Sequence, residues 1–599
     1  MWPCSPLPTT SGNRIPRWCC APPKGSPEDT SAPGSRGPRL RPWPPGTAAC
    51  GGAAQRLSSH RLPRFHGDMG VSARGEAGPR SRCGPAPAIA GGGAVKKRAP
   101  GVALAGIVAI AAALRFSLLG HNSLWFDEAW VVWVAGHRWQ DILPLLRAGD
   151  AHPPLYYLLT KAWIGIAGAR EAAVRLPSAF CGVLSVVLTY ALMRRLSPAP
   201  VGLLSALVIG VSPFAVMAGQ EVRMYALLGT LALASTLALV ASCERGGVLR
   251  WGGYALLTAA MIYTQYLGGL IVLAHGVWVA WYERRHCGPW LLAVGAAAAL
   301  YLPWVPSLWQ QITLGKGAPW FGRGTVFLDL GDLLGLFAFG GSLFGMGSYF
   351  FPGTVGPAGQ VLILLPFLVI LWRGAASWIS DRRSLALVGL PVVVTAAAMA
   401  SLSFARLLIF YPRWFSFLLP FYAMVLARGV EDIAARGRGR RPEVLALLTA
   451  GLLAFGVPVL GRYYFDPGFR PYPWRAAADL VRRQGRPGDF LLFVNGSAEI
   501  AFTYYFDQPH PSLALTPVEA VQGADRAPTF TDIQARALAK RYPRLWIIAT
   551  PPLTPGMQER LRAGLDSAYQ VVGSRSFPGI WLHLLEVRRP GPPSRPPGG

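Results

Sequence analysis

Four short stretches of this 599-residue chain carry residue types able to do chemistry. His121-Asn-Ser-Leu-Trp-Phe-Asp127-Glu128-Ala-Trp130 sets two adjacent carboxylates among aromatic rings. Asp150-Ala-His152-Pro-Pro-Leu-Tyr156-Tyr157 adds a third acid beside an imidazole. Gln220-Glu221-Val-Arg223-Met-Tyr225 combines an acid with a guanidinium, and Tyr411-Pro-Arg413-Trp414 offers a basic-aromatic pair. A Gly-rich stretch at 310–357 contributes Lys316 and Arg323. A well-placed carboxylate can accept a proton from a reacting group. A guanidinium can engage two phosphate oxygens at once. Asp-x-His supplies two ligand types close together, so Asp150, His152 and Glu221 are candidate ligands for a divalent metal. Hydrogen bonds that brace the loop are the competing reading of the same three residues.

Each piece alone has an ordinary explanation. An Asp-Glu pair in a loop is usually a solvated turn. His-Pro-Pro is usually a helix start, where Pro is favoured. Gln-Glu-x-Arg at a helix end can be a local ion pair. Trp125, Trp130, Trp133 and Trp139 can be an interfacial aromatic belt. The functional reading rests on the combination: all of these groups fall on one side of a membrane.

That membrane follows from composition. Hydrophobic residues make up 52% of the chain and charged residues only 14%, against about 25% charged in soluble domains. Apolar runs of spanning length recur, at about 101–120, 173–193, 199–217, 225–242, 251–264, 267–282, 290–309, 358–373, 384–403, 413–428 and 443–460. Lipid cannot satisfy free backbone groups, so these runs must be helices. With Lys96-Lys97-Arg98 inside, every second connection is basic, from Arg194-Arg195 through Glu283-Arg284-Arg285 to the arginines between 428 and 441, as the positive-inside rule requires. The apolar stretch 153–168 is too short to span and would invert every later loop, so a juxtamembrane or re-entrant helix on the outer face is expected there. The net charge of +28 is therefore topological rather than a nucleic-acid signal.

Residues 1–98 form a Pro/Gly/Arg-rich tail holding 15 Lys/Arg against four Asp/Glu and five of the eight cysteines. It has no periodic apolar pattern and is expected to be disordered. Its composition resembles translated GC-rich DNA, which makes Met69 a candidate start that N-terminal sequencing would decide. Residues 99–460 are expected to form the transmembrane domain, with a first outer loop at 121–172. Residues 461–599 change character. Strand-like runs at Phe490–Val494, Leu545–Ala549 and Trp581–Val587, and helical candidates at Trp474–Gln484 and Pro555–Ala563, predict a small extracytoplasmic α/β domain. No cysteine follows Cys287, so that domain has no disulfide of its own, and no cysteine spacing suggests a metal knuckle.

Ser123-Leu-Trp-Phe-Asp127-Glu128-Ala, His152-Pro-Pro-Leu-Tyr156-Tyr157, Arg175-Leu-Pro-Ser178, Gln220-Glu221-Val-Arg223-Met-Tyr225 and the late Pro412-Arg413-Trp414 with Leu419-Pro420 occur in that order. Read together, the chain from about 101 onward resembles bacterial membrane glycosyltransferases of family 39, related to protein O-mannosyltransferases and to the aminoarabinose transferase of lipid A. The resemblance implies a mainly α, polytopic GT-C fold with about 11 transmembrane helices and a soluble domain covering the site. It implies a polyprenyl-phosphate-linked sugar donor, a single inverting displacement, and an acceptor that is a protein, lipid or glycan. Asp127 matches the family's first-loop acid and is the expected general base. Glu128 is the alternative, or helps position the acceptor. Arg223 and Arg413 are expected to hold the donor phosphate, with Lys316, Arg323 or His152 assisting. Asp150, Glu221, Gln220, Tyr225 and Tyr156 are expected to position substrate or loop. Some related enzymes use a divalent metal and others do not.

Two rival readings remain distinct. A transporter or flippase for a lipid-linked or envelope component calls for ionisable residues at mid-membrane depth and paired broken helices. An assembly protein with an extracytoplasmic binding domain has no need for the first-loop acids.

Overall fold

A computed structural model describes residues 93–313, 333–335, 337–338, 357–404, 412–437, 439–466, 472–516, 532–550 and 555–588. The tail before residue 93, Lys316, Arg323 and Tyr411 lie outside the described residues.

The first apolar run forms α1 (Gly93–Phe116). The stretch that follows folds into three short helices, α2 (Phe126–Gly136), α3 (Trp139–Gly149) and α4 (Leu155–Ala167). At 13 residues α4 is about 20 Å long, too short to cross the hydrocarbon core, in keeping with the juxtamembrane expectation. The chain then runs through α5 (Glu171–Leu196), α6 (Ala199–Val211), α7 (Pro213–Gly219), α8 (Tyr225–Arg245), α9 (Val248–Thr264), α10 (Gly268–Tyr282), α11 (Cys287–Tyr301) and α12 (Val305–Thr313). Four later apolar helices cover Pro357–Ser377, Arg382–Phe404, Leu419–Ala435 and Arg441–Phe465. Among the described residues, five helices are long and apolar enough to span, or six with the bent α6–α7 pair, and shorter apolar helices include Pro100–Phe116, Gly268–Tyr282 and Leu362–Ser377.

The break in the expected 199–217 span has a local cause. Pro213 has no N–H to offer the Ile209 carbonyl, so the helix cannot continue through it. Ser212 caps the new helix by accepting from the Ala215 amide at 3.5 Å, and the two pieces meet at 62°. The fully buried Arg115 of α1 supplies the missing donors, giving Nη2 to the Ile209 carbonyl at 2.9 Å and Nη1 to that of Gly210 at 2.7 Å. Gly182 makes room for it: a Cβ there would stand 2.7 Å from Arg115 Nε. Gln220 returns the favour to α1, its amide donating to the carbonyls of Leu114, Arg115 and Ser117 at 3.1, 3.1 and 2.8 Å. These exchanged caps fix the loop after α7 against the end of α1.

The C-terminal region is a five-stranded mixed sheet in the order β2-β1-β3-β5-β4. Its strands are β1 (Phe490–Asn495), β2 (Ser512–Thr516), β3 (Arg544–Ala549), β4 (Tyr569–Phe577) and β5 (Ile580–Val587). β1 lies parallel to β2 and β3, with Phe490 opposite Leu545, and β5 runs antiparallel to β3 and β4. The three strand-like runs read from sequence are β1, β3 and β5. Asn495, whose context matches a glycosylation pattern, instead caps the helix Gly496–Thr503 and donates to Thr550 Oγ1 at 2.9 Å. One apolar cluster joins the spanning helices through Phe214, Leu228, Phe417 and Phe421. A second unites the stretch between α1 and α5 with the sheet, through Leu124, Val131, Tyr157, Trp474, Phe493 and Phe502.

Candidate active site

The loop entering α2 is organised around one guanidinium. Arg175, near the start of α5, donates Nε to Glu128 Oε1 at 2.8 Å and Nη2 to Oε2 at 2.6 Å. Its Nη1 also reaches the carbonyls of Leu119 and Asn122, at 2.6 and 2.9 Å. Both partners are buried, 5% and 1% exposed. The Val222 amide donates to Glu128 Oε1 at 2.9 Å, and the Trp125 amide to Oε2 at 3.4 Å in the manner of a capping box. Both oxygens of Glu128 are thus engaged, and this carboxylate ties three segments together. A buried bidentate pair of this kind costs about 3–5 kcal/mol to break from one side.

The neighbouring Asp127 is different. Its carboxylate is 29% exposed and its Oδ2 lies 3.7 Å from Nη2 of the buried Arg223. Arg223 Nη1 also points to the Asp127 carbonyl at 3.5 Å, and its guanidinium lies 5.6 Å from the Tyr225 ring centre. From the other end of the sequence, Arg413 in the 3-10 turn Pro412–Leu418 stacks over Trp125 at 4.9 Å and pairs with Glu221 at 3.4 Å. Burial pushes the Glu221 carboxyl above the usual range, reinforced by Glu128 and Asp127 and opposed by Arg413. Asp127, Glu221, Arg223, Tyr225 and Arg413 therefore converge, with a partly exposed Asp127 facing Arg223 and Arg413 paired with Glu221.

A second group adjoins this one through α2. Asp150 accepts from Trp130 Nε1 at 2.6 Å, the Tyr157 hydroxyl at 2.5 Å, the His152 amide at 3.0 Å and His152 Nδ1 at 2.7 Å. Burial raises its pKa, but His152 and the donors from Tyr157 and Trp130 outweigh that and hold it at about 2. The arrangement braces the turn between α3 and α4. Among the described residues, Glu221 does not join Asp150 and His152 in a metal-sized cluster. Gln220 is spent on α1, and the Tyr156 hydroxyl meets Ser178 Oγ at 3.0 Å. Lys316 lies outside the described residues.

Sequence reasoning gave no role to the groups that position the loop, although Arg175 stood in one of the motifs. Arg175 was legible as a charge one turn inside an apolar helix, a default signal of function or pairing. Tyr505 and Arg475 carried no signal, since their partners lie more than 300 residues away. The Leu124 amide donates to the Tyr505 hydroxyl at 2.6 Å. Arg475 gives its amide to Ser123 Oγ at 3.2 Å, its Nη2 to the Gly120 carbonyl at 3.0 Å, and pairs with Glu171. The Tyr504 hydroxyl donates to the Ala169 carbonyl.

An apolar cavity of about 390 Å³ opens between helices, lined by Leu114, Phe337, Phe367, Leu426, Leu460 and Tyr464 among others. Its Leu114 end is one hydrogen bond from the site loop, because Gln220 and the Tyr464 hydroxyl both donate to the Leu114 carbonyl.

Residues 151–309 match the sequence family described as dolichyl-phosphate-mannose-protein mannosyltransferase. No curated protein matches the chain. In fold it is similar to ArnT from Cupriavidus metallidurans in the apo state, with TM-score 0.54 and 14% identity over 81% of this chain and 98% of that one. The same protein bound to undecaprenyl phosphate gives 0.53 and 14%, over 80% and 97%. The archaeal oligosaccharyltransferase AglB from Archaeoglobus fulgidus, in complex with an inhibitory peptide and a dolichol-phosphate, gives 0.50 and 12%, over 82% and 74%. The fold is the mainly helical GT-C architecture with a small C-terminal sheet, and the resemblance read from the motifs is borne out.

Proposed function

We propose that this membrane glycosyltransferase of GT-C fold moves a sugar from a polyprenyl-phosphate donor to an acceptor at the outer face of the cytoplasmic membrane, with inversion and with Asp127 as general base. The observation that carries the proposal is the pairing of a partly exposed Asp127 with a buried Arg223 at 3.7 Å, under an Arg413 brought in over Trp125. The lipid phosphate is the leaving group, and its charge grows as the anomeric bond breaks. Arg223 and Arg413 are the cations positioned to receive it. A lipid-linked donor is supported by the undecaprenyl phosphate bound to the fold neighbour ArnT and the dolichol-phosphate in complex with AglB, and by the apolar cavity that Leu114 helps to line.

Arg223 serves two anions in this scheme. Before the donor arrives it faces the Asp127 carboxylate; an incoming phosphate competes for it and leaves Asp127 to the acceptor hydroxyl. Asp127 then takes the hydroxyl proton as the oxygen attacks the anomeric carbon from the face opposite the phosphate, and the sugar configuration inverts. Glu128 has no free oxygen for this chemistry and holds the loop instead. The basic loops that alternate along the chain support the placement of site and C-terminal region outside.

The test uses the full chain in proteoliposomes with a radiolabelled polyprenyl-phosphate sugar and extracted envelope acceptors. Asp127→Asn is expected to cut transfer by about 10²–10⁴-fold with unchanged thermal midpoint. Glu128→Gln is expected to lower the midpoint as well, because it leaves Arg175 without its partner. Transfer at wild-type rate by Asp127→Asn removes Asp127 from the mechanism.

A further inference from the structure

At the end of α8 remote from the site, side chains from three elements converge. Cys243 lies in the last turns of α8 and is 3% exposed. Glu283 terminates α10 and is 7% exposed, and His286 ends the 3-10 turn Arg284–His286 before α11. Their sulfur, oxygen and nitrogen donor atoms all lie within 4.8 Å of one another. Glu283 Oε2 and His286 Nδ1 are 3.2 Å apart. Among the described residues this is the one group of three or more such side chains that closes so tightly.

We propose that Cys243, Glu283 and His286 bind one zinc-class divalent ion, completed by water, that staples α8, α10 and α11 together on the face of the basic loops. The donor set selects the class. A thiolate beside an imidazole favours zinc over magnesium or calcium, which prefer all-oxygen sites. Zinc holds its ligands at about 2.0–2.3 Å in a tetrahedron, which puts donor atoms about 3.5 Å apart. A cluster already inside 4.8 Å reaches that by side-chain movements of about an ångström. Binding exchanges the thiol proton of Cys243 for the metal and releases it to solvent, and thiolate plus carboxylate then neutralise the ion.

The surroundings are arranged for one such ligand set. Arg383 Nη2 holds the far oxygen of Glu283, Oε1, at 2.6 Å and leaves Oε2 turned toward His286. Such an outer partner fixes a ligating carboxylate in orientation. Arg285 stands 3.9 Å from Oε2, but its side chain is 78% exposed and turns to solvent at little cost. The Trp251 ring flanks the His286 imidazole with centroids 6.2 Å apart. Tyr225 and Cys243 are 18 residues apart on one helix, about 27 Å at 1.5 Å per residue. The ion therefore cannot touch the reacting atoms and its role is to hold helices. Forty residues separate Cys243 from Glu283, which is why no sequence spacing announced it.

The experiment uses the full-length chain in detergent, stripped with chelator, incubated with zinc or cobalt, and desalted. Elemental analysis is expected to show one zinc equivalent more in the wild type than in Cys243→Ser or His286→Gln. The cobalt-loaded wild type is expected to show a thiolate-to-cobalt charge-transfer band that Cys181→Ser retains and Cys243→Ser loses. A wild-type protein that folds, takes up no zinc and shows no cobalt band overturns the proposal, as does equal metal content in wild type and Cys243→Ser. Neither result depends on Asp127, so sugar transfer and metal binding succeed or fail separately.

Discussion

Two acids in the stretch between α1 and α5 show how burial assigns work to a side chain. Asp150 accepts five donors around a buried carboxylate. Its pKa of about 2 stands below the ordinary carboxyl value of 3.8. Protonation therefore favours the unfolded chain. The Asp150 contribution is complete above about pH 4 and disappears as pH falls toward 2, amounting to about 2 kcal/mol. The thermal midpoint of the purified protein is expected to fall between about pH 4 and 2.5, and the decline is expected to be shallower in Asp150→Asn. Parallel curves for the two proteins place the acid sensitivity elsewhere. Asp127 sits only 23 positions away and keeps part of its carboxylate in the open. Both were visible in the sequence as loop acids. Bracing hydrogen bonds were one of the two readings of Asp150, but its partners were not legible, because Trp130 and Tyr157 had to be folded onto it first. Trp130 reads in sequence as a belt residue, and its indole N–H turns out to serve an acid.

At the scale of elements, the placement of Arg413 depends on a helix crossing without side chains. The helices Pro357–Ser377 and Leu419–Ala435 approach so closely that a Cβ at Gly429 would stand 1.9 Å from the Ile370 carbonyl oxygen, and one at Gly374 would stand 2.0 Å from that of Val425. Small residues at crossings allow this in membranes. Gly429→Ala must drive the pair apart, and the second helix continues directly from the turn that carries Arg413. We expect a loss of at least about 2 kcal/mol and a drop in sugar transfer. Gly389→Ala, where nothing lies within 4 Å of the new methyl, is the control and is expected to change stability by under about 1 kcal/mol. Equal midpoints for the two variants mean the crossing relaxes without strain. Apolar runs made these helices legible, since length and hydropathy are one-dimensional. The α6–α7 bend was hidden inside one such run, although Pro213 marked it, because the apolar count carried straight through. β2 and β4 escaped for a related reason: one is five residues long and the other is an edge strand with little apolar alternation.

Over the whole molecule, the C-terminal region and the apolar helices both hold the loop that enters α2. Arg175 of α5 holds its carbonyls and Glu128; Tyr505 and Arg475 hold Leu124, Ser123 and Gly120. The core that Leu124, Val131, Phe493 and Phe502 share makes the contact continuous rather than a hinge. The α/β character of this region was legible from alternating runs, but its docking was not, since it depends on pairs separated by hundreds of residues. The consequence is measurable in Tyr505→Phe. The variant keeps the ring and removes the hydroxyl, so the Leu124 amide loses its acceptor at a cost of about 1–3 kcal/mol. Most of that loss falls on the segment three residues before Asp127 rather than on the fold, because Arg175 and the shared apolar core remain. Misplacing a base by a fraction of an ångström slows the step it serves without changing lipid binding. Transfer kinetics in proteoliposomes should therefore show kcat lowered about tenfold, KM for the lipid-linked donor within about twofold, and a small shift in thermal midpoint. A variant with wild-type kcat shows that Arg175 and Arg475 position the loop without the Tyr505 hydroxyl, and a variant that loses donor affinity places the C-terminal region in donor binding.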